Sequence, residues 1–217
     1  MIYFLIILIG YIIGSISPSI IVTNYLTGKD IRNFGSGNAG ATNVFRVLGW
    51  KIGVPVFIFD VFKNYFSILL LPEIILGFLN ETQNFELINL KILIGISVIV
   101  GHIWTVFGNF RGGKGVATML GFMLALAPID FLFTILVFFI FVGVTKYISL
   151  GSIISSISFP IILYCRENIF HQHVKDYNSI IIITIIIPLL IIFTHRNNIK
   201  RIMNGNENKF SFAKKTN

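Results

Sequence analysis

Residues 180–193 read Ile-Ile-Ile-Ile-Thr-Ile-Ile-Ile-Pro-Leu-Leu-Ile-Ile-Phe, and Thr194, His195 and Arg196 follow directly. No charge interrupts the run. A segment of this kind is at home in hydrocarbon, where only a helix that bonds its own backbone is tolerated. Comparable runs occupy residues 1–13, 90–100 and 129–144, with Lys91 and Asp130 as their only charged side chains. Hydrophobic residues make up 55% of the 217, charged ones 12%, and the mean hydropathy is +0.84. That composition excludes an ordinary soluble domain and predicts an all-α integral membrane protein.

With Gly, Pro and charge clusters as punctuation, seven helices are expected at about 1–26, 52–79, 88–108, 114–128, 130–145, 149–165 and 177–194. The fourth and fifth are short and separated only by residues 127–130, so a re-entrant hairpin with five full spans is the alternative. Residues 1–9 resemble the apolar part of a secretion signal. No Lys or Arg precedes them and no Ala-x-Ala-like site follows, so they read as a retained first helix. Cys165 is the only cysteine, which leaves no intrachain disulfide.

The basic residues set an orientation. Lys29, Arg32, Arg46, Lys51, Arg111, Lys114, Lys146, Arg196, Lys200, Arg201, Lys209, Lys214 and Lys215 fall in one set of connections, thirteen of the seventeen. Cytoplasmic loops carry such an excess, so the N-terminus is expected outside and the C-terminus in the cytoplasm. The opposite connections, with Glu81, Glu86, Lys91, Asp130, Arg166, Lys175 and Asp176, are nearly balanced. The net charge of +8 then needs no nucleic acid, because basic loops beside a bilayer meet anionic lipid. Residues 202–217 read as a polar, basic, disordered tail, and no internal repeat or soluble domain is visible.

Four segments on the expected cytoplasmic face carry the unusual chemistry. Asn33 to Asn43, with Gly35, Gly37 and Gly40, forms an anion nest to which Ser36, Asn38, Thr42 and Asn43 add donors, followed by Arg46; a flexible linker is the alternative. Gly108-Asn-Phe-Arg-Gly-Gly-Lys-Gly115 keeps the glycines and Lys114 of a P-loop, but Gly115 stands where Ser or Thr would hold magnesium. No buried strand precedes it, which argues against a nucleotide triphosphatase. A glycine turn leading into a helix N-terminus beside a Lys still favours phosphate. Lys146 to Ser152 contains Ser149, either a ligand donor or a helix cap. His195 to Arg201 follows the last helix; its basic residues bind a ligand or anchor the helix at headgroups, and one further turn would point His195 and Asn198 the same way.

Asp60 and Lys63, three apart inside an apolar segment, read as a neutralising pair. His171 and His173 read as surface residues. No Gly-x-Ser-x-Gly elbow, Cys/His pairing or metal-binding carboxylate cluster is apparent. His102 lacks the His-x-x-x-x-Asp pattern of soluble-facing acyltransferases.

Taken together, Ser36 to Asn43, Gly101 to Thr118 with its Gly-Gly-Lys-Gly-Val-Ala-Thr core, Lys146-Tyr147-x-Ser149-Leu150 and His195-Arg196-x-Asn198-Ile199-x-Arg201 resemble the bacterial acyl-phosphate-dependent glycerol-3-phosphate acyltransferases. The resemblance runs from the first helix to about residue 201, with all four motifs in order. It implies a compact bundle of seven membrane helices in the bacterial inner membrane, with the site on the cytoplasmic side. It implies transfer of an acyl group from acyl phosphate to the sn-1 hydroxyl of glycerol 3-phosphate, giving lysophosphatidic acid and phosphate, with no cofactor and no metal. Position by position, Ser36, Gly37, Asn38 and Thr42 would hold the acyl phosphate, and Arg46 and Lys114 would bridge the two phosphate groups. Ser149, His195 and Asn198 would hold glycerol 3-phosphate. Docking of the enzyme that supplies acyl phosphate on the basic face is a further expectation. One departure is Asn64, which follows Lys63 where the resemblance leads one to expect Gly. The competing class is a carrier for a phosphorylated solute, against which stand the missing repeat and the gathering of basic groups at one face.

Overall fold

Pro18 decides how the chain begins. Proline has no N–H to continue a helix and pushes the residue before it into extended backbone, and Ser17 is extended at φ −107° and ψ 96°. The first apolar run is therefore two helices, α1 (Ile2–Ser15) and α2 (Pro18–Thr27), in place of the single one expected. The computed structural model describes residues 2–78 and 86–210. Glu81, Lys214 and Lys215, which entered the charge count, lie outside them. By its contacts the chain divides into two units, Met1–Ala125 and Leu126–Asn217.

In the first unit a 3-10 turn (Ile31–Asn33) leads to α3 (Ala41–Leu48), α4 (Trp50–Phe78) and α5 (Leu87–Ile103); a second 3-10 turn (Val106–Gly108) precedes α6 (Val116–Leu126). α1 lies against α5 along small residues. A Cβ on Gly14 would collide with the Val98 backbone, and one on Gly101 with the backbone of Tyr11 and Ser15. Such close approach is how membrane helices gain dispersion contact without a hydrophobic driving force between them. Asn64 is buried where α4, α5 and α6 meet, donating to Gly95 O at 3.2 Å and Thr118 O at 2.8 Å. The residue that departs from the resemblance is thus an interhelical tie. α3 turns Val44 into a small core with Ile31, Ala39 and Val56, which seats the 31–40 loop on the start of α4.

The second unit comprises α7 (Pro128–Thr145), α8 (Ile148–Asn168), α9 (Tyr177–Thr194) and α10 (Arg196–Met203). α8 is rich in serine yet apolar in setting. Ser152, Ser155, Ser156 and Ser158 each donate to a carbonyl three or four residues back, so these hydroxyls are satisfied within the helix. At the other end of α8, Arg166 pairs with buried Asp130 of α7 at 2.8 Å.

Among the described residues six stretches are long and apolar enough to cross a membrane: Ile2–Thr27, Trp50–Phe78, Leu87–Gly108, Pro128–Thr145, Ile148–Asn168 and Tyr177–Thr194. The expected fourth helix is α6, eleven residues long. At 1.5 Å per residue it spans about 16 Å, roughly half the hydrocarbon thickness. Its expected partner in a short hairpin, α7, has eighteen residues and the length of a full span.

Candidate active site

The 30–46 segment is a built loop and not a flexible linker. Asp30 caps the 3-10 turn by accepting from Arg32 N at 2.9 Å, and it grips the Arg32 guanidinium at 2.6 Å. Hydrogen bonds from Arg32 hold the Asp30 carboxyl below its ordinary pKa. Gly35 and Gly37 take positive φ, 58° and 72°, a conformation that suits glycine. Asn43 locks the result. Its Oδ1 accepts from Ser36 N at 2.9 Å, and its Nδ2 faces the carbonyls of Ile31, Phe34 and Asn38 at 3.2, 2.9 and 3.0 Å. Asn43 was expected to donate to a ligand; the structure turns it inward, because it is buried and its polar atoms serve the loop. Ser19, just past the helix break, adds a bond to Ala39 O at 2.6 Å.

Replacing Asn43 by Ala is expected to cost about 2 kcal/mol, the scale of leaving buried backbone groups unpaired. Amide exchange across residues 34–38 should quicken. Unchanged protection there would show that the loop holds itself.

The 104–115 segment folds back onto the end of α5. Gly112 N donates to Ile103 O and Gly113 N to His102 O, both at 3.0 Å, and Gly115 turns at φ 86° into α6. Arg32 crosses to it, donating to Gly108 O at 2.5 Å and Arg111 O at 3.2 Å. The two loops enclose a polar cleft of about 660 Å³. Gly37 and Asn38 line it from one loop, Asn109, Arg111 and Gly112 from the other, with Asp30 and Arg32 among its remaining walls. Ser36 and Lys114 are half-buried, while Thr42 and Arg46 are exposed on α3.

Beneath the second loop lies a charge cluster. Lys63 pairs with Asp60 at 2.7 Å, as the spacing predicts, and also donates to Gly14 O at 3.1 Å and Ile16 O at 2.8 Å, the carbonyls freed at the helix break. His102, unforeseen in this role, places Nδ1 3.3 Å from Asp60 and 3.1 Å from Lys63. Lys63 has three N–H groups for Gly14, Ile16 and Asp60, so the tautomer satisfying every group has Nδ1–H pointing at Asp60. Nε2 then faces Gly113, where any Cβ would strike the ring.

In the second unit, Ser149, Asn198 and Arg201 converge on Glu207. Ser149 Oγ donates to Oε1 at 2.8 Å, Asn198 Nδ2 to the same oxygen at 2.7 Å, and Arg201 Nε to Oε2 at 2.7 Å. Ser149 is therefore not a helix cap, a position held by Tyr147. Burial raises the Glu207 pKa, but the bonds from Asn198, Ser149 and Arg201 outweigh it and hold the carboxyl below its usual value. The segment read as a disordered tail is described as far as Phe210, whose N–H donates to Lys146 O at 2.7 Å; residues 211–217 lie outside the described ones. His195 and Asn198 are both buried, as one continuing turn would require, and His195 Nδ1 lies 2.8 Å from Ile191 O. A carbonyl only accepts, so Nδ1 carries the proton. Glu207, His102, Asn43 and Arg32 are residues that sequence reasoning passed over in these roles.

Comparison with known proteins gives the family. The family model described as glycerol-3-phosphate acyltransferase matches residues 4–205. The glycerol-3-phosphate acyltransferase of Chlorobaculum tepidum is 41% identical over 97% of both chains, and that of Chlorobium chlorochromatii 38% identical over 96% of this chain and 97% of its own. The crystal structure of PlsY (YgiH), an integral membrane glycerol 3-phosphate acyltransferase, in its glycerol 3-phosphate form superposes with a TM-score of 0.79 at 34% identity, covering 97% of this chain and 96% of that one. Its lysophosphatidic acid form gives 0.76 at 32%, covering 99% and 98%. A family match that runs from residue 4 to residue 205 takes in both glycine loops together with Ser149, His195 and Asn198, so the chain, a membrane acyltransferase, belongs to the glycerol-3-phosphate acyltransferase family.

Proposed function

We propose that this enzyme transfers a fatty acyl group from acyl phosphate to the sn-1 hydroxyl of glycerol 3-phosphate, the first acylation of phospholipid biosynthesis. The hydroxyl oxygen attacks the acyl carbon, the bond from that carbon to the phosphate oxygen breaks, and the hydroxyl proton ends on phosphate. Lysophosphatidic acid and inorganic phosphate leave. Ser36, Gly37, Asn38 and Thr42 hold the acyl-phosphate headgroup, Arg46 and Lys114 meet both phosphates, and Ser149, His195 and Asn198 hold glycerol 3-phosphate.

The observation that carries the donor assignment is the fate of His102 and Asp60. Both are buried: Asp60 is paired with Lys63, and His102 holds Asp60 through Nδ1 with its Nε2 packed against Gly113, so the first unit does not offer them as a base, while its loops offer donors and cations. A mixed anhydride with phosphate as leaving group suits such a site, where positioning and charge do the catalysis and a substrate phosphate oxygen takes the proton. Seven membrane helices, with α1 and α2 as one and short α6 as another, an outer N-terminus, a cytoplasmic C-terminus and a site on the cytoplasmic face of the bacterial inner membrane complete the reading. Docking of the acyl-phosphate-supplying enzyme on the basic loops belongs to it as well.

Purified protein in liposomes with palmitoyl phosphate and glycerol 3-phosphate should release phosphate and lysophosphatidic acid in equal amounts, and palmitoyl-CoA should give neither. Product from palmitoyl-CoA alone would overturn the donor. Folded protein inactive with both donors would point to the carrier, to be checked by solute uptake.

A further inference from the structure

Glu207 fixes the hydrogen-bond polarity of its neighbours. A serine hydroxyl has one proton and two lone pairs. That of Ser149 is directed at Glu207 Oε1, 2.8 Å away, so toward any other group Ser149 Oγ only accepts. The carboxylate is itself pinned, by Asn198 on the same oxygen and Arg201 on the other, and so cannot swing aside to release the proton. Ser149 is 5% exposed, and among the described residues no N–H or O–H is directed at its oxygen. With its proton taken, that oxygen keeps lone pairs to offer to a donor on a ligand.

A phosphate monoester near neutral pH offers chiefly acceptor oxygens. The donors of glycerol 3-phosphate are its hydroxyl groups. We infer that Glu207 makes Ser149 an acceptor, and that Ser149 reads a hydroxyl of glycerol 3-phosphate and not its phosphate. The inference rests on the function proposed above and refines it: Glu207 is a positioning residue that touches no substrate, and Ser149 is a specificity residue for the glycerol moiety.

The test compares glycerol 3-phosphate with propyl phosphate, which keeps the phosphate and lacks both hydroxyls. Dissociation constants are measured by calorimetry on the full chain in detergent, that for propyl phosphate by displacement of glycerol 3-phosphate. Ser149→Ala is expected to weaken glycerol 3-phosphate about tenfold, one hydrogen bond's worth, and to leave propyl phosphate within about twofold. Equal losses for both ligands would mean that Ser149 donates to phosphate, and would overturn the inference. Glu207→Ala, which frees the serine proton, should lower the preference for glycerol 3-phosphate over propyl phosphate. Unchanged preference in a folded Glu207→Ala variant would overturn the role of Glu207; where that variant does not fold, Ser149→Ala alone decides. Wild-type protein that fails to bind glycerol 3-phosphate at all would instead retract the proposed function.

Discussion

Lys114→Ala is expected to lower kcat/KM by about three orders of magnitude, the loss seen when a principal stabiliser of developing charge is removed from a transfer site. The residue closes a loop whose every neighbour is fixed: Gly112 and Gly113 are bonded to the end of α5, and Gly115 turns at φ 86° so that α6 starts immediately behind it. Its ammonium and the N-terminus of α6 come from the same short stretch, and both favour phosphate. Two anionic substrates must approach each other before acyl transfer, and their repulsion grows as charge moves onto the departing phosphate. A positive group held in place offsets both terms without reorganising. Arg46→Ala should behave alike, since α3 carries it in its last turn above a loop that Asn43 holds rigid. Phosphate and lysophosphatidic acid release are followed together, with circular dichroism as the control for folding. Near-normal turnover in either variant would remove that residue from its bridging role.

The sequence made the membrane class and the motif loops legible because both are local properties. A run such as 180–193 declares itself by composition, and α9 spans Tyr177–Thr194, the bounds expected of it. Glycines beside Lys114 announce a tight turn into a helix for the same reason, and Gly115 takes it at φ 86°. What could not be read were partnerships between residues far apart in the chain. Glu207 looked like one more polar residue of a tail; only the path of the backbone after α10 brings it to Ser149, fifty-eight positions earlier. His102 stood in a motif, yet its connection to Asp60 depends on α4 and α5 packing side by side. Asn43 counted as a ligand donor because a side-chain amide is chemically suited to that, and its burial under its own loop is a tertiary fact. α6 was overestimated because the glycine turn before it and Pro128 after it bound an apolar stretch without showing how many residues each loop consumes.

The largest stability effect expected is that of Lys63→Met. The side chain is 3% exposed and its ammonium reaches Gly14 O, Ile16 O and Asp60 across two different elements. Taking it away strands three acceptors at once. Two are backbone carbonyls at the break between α1 and α2, where Pro18 prevents the helix from satisfying them. The third is the Asp60 carboxylate, 1% exposed, which would keep only His102 at 3.3 Å. Removing one partner of a buried pair costs about 3–5 kcal/mol, because the remaining charge stays desolvated. The same logic predicts that Asp60→Asn with Lys63→Met loses less than the sum of the two single changes, since the double variant buries no lone charge. Thermal unfolding of the four proteins in one detergent measures both effects. Additive losses would show that Asp60 and Lys63 act independently and that the cluster is not a unit. A functional consequence separates it from ordinary core damage: Gly113 rests on the His102 ring, so loosening the cluster should disturb the loop that carries Lys114. Folded Lys63→Met protein should therefore show faster amide exchange at residues 111–115 than at the start of α8, and equal change in both places would break the proposed link between the buried charges and the phosphate loop.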